Sequence, residues 1–158
     1  MTKNLLKVSK NKILRVDITL FQPNKGFRVS IDSILLSSSV KKYTNCMEFG
    51  TGSGVILIYL SKKFPDATII GIEKNSKLVK LAKKNLLENN ITANTANVLC
   101  MDLSNQLFLK EYNNKIDRII MNPPYFSSDR VIASTNIFKA SARYEINIDR
   151  WFVAAYKK

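Results

Sequence analysis

The feature that most restricts the fold is a regular alternation of short apolar runs with amphipathic segments between Asn45 and Met121. Four runs have the length and the flanking turn residues of buried strands: Cys46 to Phe49, Thr68 to Ile72, Asn97 to Cys100 and Ile116 to Met121. The two segments from 55 to 64, ended by Pro65, and from 76 to 88 carry apolar residues at helical spacing. This order predicts an α/β fold with a doubly wound, mostly parallel sheet. Right-handed crossovers would bring the carboxyl ends of the strands to one edge, where ligands bind.

The residues before this sheet, 1–44, have a different pattern and are predicted to form a short N-terminal lid on a core that spans 45–158. Ile13 to Phe21 alternates loosely, as in a strand or hairpin arm, and a turn is expected from Gln22 to Gly26. Ser30 is expected to cap a helix that runs toward Val40. Its apolar residues repeat at helical spacing: Ile31, Ile34 and Leu35.

The C-terminal part predicts a long polar loop and one more helix. Residues 125–142 are rich in Ser, Thr, Asn and Lys, and a loop of this length suits substrate binding. Asp149 is expected to cap a helix from Arg150 to Lys158, with Trp151, Ala154 and Ala155 at helical spacing. No later strand follows, so we expect a fragment or truncated form whose fourth strand is an uncovered sheet edge, open to self-association.

The charge of the chain favours a polyanionic partner. Twenty-five Lys and Arg against twelve Asp and Glu give a net charge of +13, and the residues before Glu48 hold nine positive and two negative groups. A positive field attracts nucleic acid and accelerates its encounter. The alternative is a lysine-rich, solvated surface without a polyanionic partner.

The composition also excludes several function classes. The chain has no histidine, which rules out a Ser-His-Asp hydrolase, and its two cysteines support neither a zinc cluster nor a disulfide framework. We therefore expect no metal, and two buried thiols at Cys46 and Cys100. No apolar run approaches the roughly 18 residues of a membrane helix, and the N-terminus lacks a secretory signal, so no membrane partner and a cytoplasmic location are expected.

A glycine-rich turn between the first strand and first helix of the core predicts a ligand loop. Gly50, Gly52 and Gly54 have the spacing G-x-G-x-G, which differs from the G-x-G-x-x-G dinucleotide fingerprint. Glu48 just before the loop would repel a pyrophosphate but attract the ammonium and sulfonium groups of S-adenosylmethionine. The alternative is a tight turn beside a surface glutamate.

Two further acidic residues follow the next strands. Glu73 ends the second strand, where a carboxylate accepts hydrogen bonds from the two ribose hydroxyls of a nucleoside. Asp102 follows the third strand and is a candidate acceptor for an adenine amino group, with Leu103 packing on the base. A solvated loop aspartate is the alternative.

The tetrad Asn122, Pro123, Pro124 and Tyr125 after the fourth strand predicts a clamp for a planar amino group. The side-chain oxygen of Asn122 and the carbonyl of Pro123 would accept its two hydrogens, favouring a pyramidal, nucleophilic nitrogen. The proline rings fix the loop, and Tyr125 or Phe126 would stack on a flipped base, worth about 1 to 3 kcal/mol. The alternative is a rigid turn with Tyr125 in the core.

With these residues in view, the chain resembles the class I (Rossmann-like) S-adenosylmethionine-dependent methyltransferases from Cys46 to Phe126. The segment 48–54 is similar to their first motif, Glu73 to the second, Asp102 to the third and the Asn-Pro-Pro-Tyr tetrad to the fourth. This fold usually has seven strands, of which the last three would follow the end of this chain.

A narrower similarity concerns the residues outside the four motifs. Residues 22–36 and 142–145 resemble the bacterial tRNA(Val) adenine-N6 methyltransferases, which modify the adenine 3′ to the anticodon. That resemblance implies that Asp32 lies near the methionine end of the cofactor, although Tyr144 stands where the family usually has histidine. It implies methyl transfer to N6 of adenine in tRNA near the anticodon.

Other substrates and a non-catalytic role remain open. DNA adenine, a guanine amino group of rRNA or a protein glutamine presents a similar planar group, and the net charge favours a nucleic acid over a protein. The remaining alternative is a module that binds RNA or cofactor without catalysis.

Overall fold

The computed structural model describes residues 7–13, 18–25, 28–104, 110–123 and 148–156. Within them the strands are β1 (Val8–Ile13), β2 (Ile18–Pro23), β3 (Asn45–Phe49), β4 (Thr68–Glu73), β5 (Ala96–Cys100) and β6 (Arg118–Met121). The α-helices are α1 (Ile31–Ser39), α2 (Val55–Lys63), α3 (Ser76–Glu88) and α4 (Ile148–Ala155), and a short 3-10 helix spans Lys110–Tyr112.

The central sheet has the strand order β5-β4-β3-β6, and all its neighbouring strands are parallel. This confirms the predicted α/β fold with a parallel sheet. The predicted strand limits are correct to within two residues. The last strand begins at Arg118 rather than Ile116, because the carboxylate of Asp117 binds the backbone N–H groups of Thr44 at 2.7 Å and Asn45 at 3.3 Å.

Side chains alternate across the sheet and form two cores, one on each face. The larger core lies under α2 and α3 and includes Cys46, Leu57, Ile69 and Val98. The core on the other face lies against α4. Its buried members are Met47, Phe49, Ile72, Met101, Leu103 and Ala154. Both faces of the sheet are therefore covered, as the near-continuous apolar strands require.

The N-terminal segment forms a hairpin that the sequence predicted only in part. Strand β1 was not predicted, and β2 continues through Gln22 and Pro23, which we had placed in the turn. Strand pairing reaches Pro23 because Gln22 is buried, with its Oε1 accepting from the Val29 N–H at 2.9 Å and its Nε2 donating to Asn11 at 3.2 Å. Residues 14–17 and Gly26 lie outside the described residues.

Helix α1 occurs where it was predicted, but serines form its buried face. Ser30 occupies the N-cap position without a side-chain capping hydrogen bond. Ser33 and Ser37 are buried, whereas Ile31 and Leu35 are 64% and 58% exposed. The Ser37 hydroxyl donates to the Ser33 carbonyl at 2.6 Å, so the inward face has few unsatisfied polar groups.

Two further expectations need correction. Asp149 does not cap the last helix, because α4 begins at Ile148 and places Asp149 in its first turn. Cys46 is buried as predicted, but Cys100 is exposed. It is the last residue of the edge strand β5, and its Sγ lies 3.9 Å from the carbonyl oxygen of Lys74. Ala154 is fully buried and Trp151 half-buried, as their spacing predicted.

Candidate active site at the carboxyl edge of the sheet

The four sequence motifs emerge at the same edge of the sheet. In the parallel register, Phe49 pairs with Ile72 on one side and with Met121 on the other, and Glu73 pairs with Cys100. The residues that follow these positions therefore leave the sheet side by side. They are Gly50, Lys74, Met101 and Asn122. The backbone N–H groups of Gly50 and Thr51 donate to the Ile72 carbonyl, which ties the glycine loop to β4.

The three loop glycines all have positive φ, at 70°, 56° and 85°, but their surroundings differ. A Cβ on Gly50 would lie 2.6 Å from the indole of Trp151, and one on Gly54 would lie 3.2 Å from the Cβ of Ala82. A Cβ on Gly52 would meet no heavy atom of the described residues within 4 Å. Gly50 and Gly54 are thus constrained by packing within the protein, whereas Gly52 presents open backbone that a ligand can approach.

Glu73 is held by two backbone hydrogen bonds, one from the glycine loop and one from the N-cap of α3. Its Oε2 accepts from the Gly52 N–H at 3.0 Å and its Oε1 from the Asn75 N–H at 2.8 Å. The side chain is 9% exposed. An ionised carboxylate offers about four lone-pair positions, so each oxygen retains capacity for a hydroxyl donor after these contacts.

Glu48 is buried rather than at the surface, which removes that part of the alternative weighed from the sequence. It is 2% exposed, and the Thr51 hydroxyl donates to its Oε2 at 2.5 Å. Burial raises the pKa of Glu48 to about 8, the Thr51 hydrogen bond opposes that rise, and the charge of Glu73 adds to it. Sequence reasoning missed Thr51, although its place between two loop glycines was a signal. A cation beside this carboxyl would favour its ionised form.

Asp102 and Leu103 occupy different environments. Asp102 is exposed and accepts a hydrogen bond from the Ser104 N–H at 2.8 Å. Hydrogen bonds from the Ser104 backbone and side chain lower the pKa of Asp102, and Lys74 and Arg150 add to the effect. Leu103 is 8% exposed and packs in the core beneath α4. Their predicted contacts with an adenine ring stay predictions.

Asn122 extends from β6 toward helix α1. Its Nδ2 donates to the Ser33 hydroxyl at 3.0 Å across 89 positions of sequence. This contact sets the orientation of the amide, with its nitrogen toward α1. Asp32, the α1 residue predicted to bind cofactor, is exposed beside Ser33. Sequence reasoning missed Ser33, because no local pattern marks so distant a contact.

The remaining members of the predicted clamp are only partly described. Pro123 is buried at the end of β6. Pro124, Tyr125 and Phe126, as well as the predicted substrate loop, lie outside the described residues. Among the described residues there is no cluster of three potential metal ligands and no helix long and apolar enough to cross a membrane.

Comparison with known proteins gives a family match over most of the chain. The family model of the methyltransferase small domain matches residues 28–157. A curated relative from a Flavobacteriaceae bacterium (strain 3519-10), named tRNA1(Val) (adenine(37)-N6)-methyltransferase, is 32% identical over 113 residues, covering 70% of this chain and 47% of the relative. The release factor glutamine methyltransferase of Flavobacterium psychrophilum is 31% identical over 110 residues, covering 70% and 35%.

The fold is also similar to that of solved structures. A SAM-dependent methyltransferase from Agrobacterium tumefaciens matches with a TM-score of 0.56 and 15% identity, over 80% of this chain and 42% of that protein. The chain thus spans about half or less of the length of these relatives.

Proposed function

The chain belongs to the methyltransferase small domain family, and on that premise we propose that it transfers a methyl group from S-adenosylmethionine to N6 of adenine in RNA, most specifically in tRNA near the anticodon. The observation that carries the proposal is the position of Asn122 at the end of β6, one strand away from the glycine loop. Asn122 and the glycine loop therefore share one edge of the sheet, which supports an amino-group acceptor beside a nucleoside site.

The residues at this edge fit the proposed cofactor. S-adenosylmethionine supplies a methyl group on a positively charged sulfur. Gly52 leaves room for a ligand against the backbone, and Glu73 is directed into the same loop as an acceptor for ribose hydroxyls. Glu48 provides a buried carboxyl for the ammonium and sulfonium groups of the cofactor. Asp102, Leu103 and Asp32 complete the proposed contacts, with Asp102 facing the adenine.

The clamp acts through the geometry of its acceptors. The Asn122 nitrogen donates to Ser33, and in the proposed clamp the amide oxygen accepts from the amino group of the substrate. This oxygen and the Pro123 carbonyl would hold the two N–H hydrogens so that the lone pair points at the methyl group. Positive charge that develops on nitrogen is stabilised by the same two oxygens, and water removes the proton after transfer.

RNA is favoured as substrate by charge and by relatives. The net charge of +13 suits a polyanion, and the chain is 32% identical to a relative named as a tRNA adenine-N6-methyltransferase. An RNA substrate also accords with the cytoplasmic location expected from the sequence. Stacking by Tyr125 or Phe126 would hold the flipped base.

A second candidate substrate is the side-chain amide of a protein glutamine. It is favoured by the 31% identity to a relative named as a release factor glutamine methyltransferase. The same two oxygens would accept the hydrogens of an amide nitrogen, so the clamp alone does not choose between the substrates.

The test is methyl transfer to separate substrates. Labelled S-adenosylmethionine is incubated with the protein and either total tRNA from cells lacking the endogenous enzyme or release factor protein, and the products are digested and identified. We expect label on methyladenosine, reduced by about 100-fold or more in Asn122→Ala.

The control is Asn97→Ala, an exposed asparagine on β5 that should keep wild-type activity. Label on glutamine would select the second candidate. Cofactor binding without transfer to either substrate would indicate a non-catalytic module, and equal label from wild type and Asn122→Ala would refute the clamp.

A further inference from the structure

The N-terminal hairpin attaches to helix α3 through two buried asparagines. Asn85 and Asn89, one helical turn apart, are 0% and 7% exposed. Asn85 Oδ1 accepts from the Phe21 N–H at 2.8 Å and its Nδ2 donates to the Phe21 carbonyl at 2.9 Å. Asn89 binds Thr19 in the same two-way manner, at 3.0 and 2.6 Å. The side-chain amides thereby pair with β2 as a neighbouring strand would.

Only one of the two asparagines also reaches the glycine loop. The Nδ2 of Asn85 donates to the Ser53 carbonyl at 2.8 Å, so its two hydrogens bind the hairpin and the loop. The Nδ2 of Asn89 instead donates to the Asn85 carbonyl of its own helix at 2.7 Å. Ser53 lies between Gly52, whose N–H binds Glu73, and Gly54, which packs on Ala82 of α3.

A movement of the hairpin along α3 would also change the contacts of the glycine loop. If the hairpin shifts along α3, the Asn85 amide must rotate or lose Phe21, and either change removes a donor from the Ser53 carbonyl. The loop backbone would then lose a contact that fixes the peptide next to Gly52. Because all these groups are buried or partly buried, water does not readily replace the lost bonds.

We propose that Asn85 is a positioning residue that couples docking of the N-terminal hairpin to the conformation of the glycine loop, and so to the binding of the nucleoside cofactor. The proposal rests on the proposed function only in that the loop receives a nucleoside. Coupling of this kind is reciprocal: a ligand that orders the loop must also strengthen hairpin docking.

The first test uses the wild-type protein and S-adenosylhomocysteine as the probe. Hydrogen exchange is measured at the Thr19 and Phe21 amides, which donate to the two asparagines. We expect the ligand to slow exchange of both amides by about tenfold. Binding with unchanged exchange overturns the coupling and leaves the cofactor assignment intact. A lack of binding overturns the cofactor assignment and this proposal with it.

The second test compares Asn85→Ala with Asn89→Ala as a matched control. Each variant loses one asparagine pair with β2, so both should loosen the hairpin. In Asn85→Ala we expect about tenfold weaker binding of S-adenosylhomocysteine and no ligand effect on the Thr19 amide, whose own partner is retained. In Asn89→Ala the affinity and the ligand effect on the Phe21 amide should persist.

Equal loss of affinity in both variants would mean that the asparagines act only through general stability, and would refute the proposal. The Michaelis constants provide a further distinction in an active preparation. Asn85→Ala should raise KM for the cofactor more than KM for the RNA, whereas a merely loosened hairpin would not single out the cofactor.

Discussion

The central sheet and the N-terminal hairpin are fixed to the rest of the protein by different interactions. The sheet is covered on both faces by apolar side chains, with Leu57, Ile69 and Val98 almost fully buried. The hairpin contributes Ile18 and Leu20 to that core, but its position along α3 is set by the amides of Asn85 and Asn89.

The two kinds of interaction have different effects: one stabilises the fold, and the other fixes the alignment of β2 with α3. Apolar burial is non-directional and contributes roughly in proportion to area, so it favours contact without fixing an exact alignment. Paired hydrogen bonds are directional, and a shift of β2 by one residue would turn the paired backbone groups away from both amides. The apolar cores therefore stabilise the fold, and the two asparagines define where the hairpin lies.

The largest effect should come from a cavity in the sheet core. Leu57→Ala removes a fully buried side chain between α2 and the sheet and should lower the free energy of unfolding by about 3 to 5 kcal/mol. Chemical denaturation measures this loss. Leu87→Ala, at a position that is 74% exposed on α3, should cost less than about 0.5 kcal/mol. A similar loss in both variants would contradict the core assignment.

The stability of the protein should also depend on pH through Glu48, and this effect should be smaller than that of the core cavity. The folded protein keeps the Glu48 proton up to a pKa of about 8, whereas the unfolded chain releases it near the ordinary glutamate pKa of 4.5. The stability of the ligand-free protein should therefore fall as pH rises from about 4.5 to 8, by an amount on the order of a few kcal/mol.

Thermal unfolding at several pH values tests this sign. Glu48→Gln should remove the decline, and Glu111→Gln, at an exposed position of the 3-10 helix, should retain it. A wild-type pH profile identical to that of Glu48→Gln would contradict the raised pKa of Glu48. The side chain of Asn89 is a neutral amide, so Asn89→Ala should leave the pH profile unchanged.

Asn89→Ala should have an intermediate, local effect on the hairpin. It leaves the N–H and carbonyl of Thr19 without their side-chain partners and should cost about 1 to 3 kcal/mol. Faster hydrogen exchange in β2 than in β3 and β4 would demonstrate local release. Uniform acceleration across the sheet would show instead that the hairpin and the sheet unfold together. Asn97→Ala serves as the exposed control.

Helix α1 provides another directional contact, between Ser33 and Asn122. Ser33→Ala removes the acceptor of the Asn122 amide and should lower kcat about fivefold, near 1 kcal/mol, with little change in melting temperature. Ser38→Ala, on the exposed side of the same helix, is the control. Unchanged kcat in Ser33→Ala would show that the contact does not orient the clamp.

The smallest effect should follow loss of the ion pair between hairpin and α3. Lys10 Nζ lies 2.6 Å from Glu88 Oε1, but the lysine side chain is 57% exposed. Lys10→Ala should change stability by less than about 0.5 kcal/mol in denaturant titrations. The control is Lys12→Ala, on the same face of β1. A cost for Lys10→Ala equal to that of Asn89→Ala would overturn the distinction between buried amides and surface charges.

The sheet was predictable from sequence because its signals are local and repeated. Apolar runs, the glycine loop and the helical period between Ser76 and Glu88 each occupy neighbouring positions, and the structure differs from them by at most two residues. The parallel arrangement of the strands was enough to predict that the residues after their carboxyl ends share one edge of the sheet.

The features that sequence reasoning missed or predicted wrongly have physical causes. Strand β1 has the sequence Val-Ser-Lys-Asn-Lys-Ile, and pairing with β2 rather than an apolar pattern makes it a strand. Asn85 interrupts an otherwise apolar helix face, and its partners are 32 and 64 positions away. Ser33 contacts Asn122, which lies 89 positions away in the sequence. Cys100 follows the apolar pattern of β5. It is exposed because it is the last residue of this edge strand.

The exposure of Cys100 also makes the protein convenient to label. Of its two cysteines, Cys46 is inaccessible within the core, so a maleimide dye or nitroxide should attach at Cys100 without mutagenesis. Because Cys100 pairs with Glu73 across the strand ends, such a spectroscopic reporter would lie close enough to this proposed ribose acceptor to register occupancy through a change in emission or spin mobility.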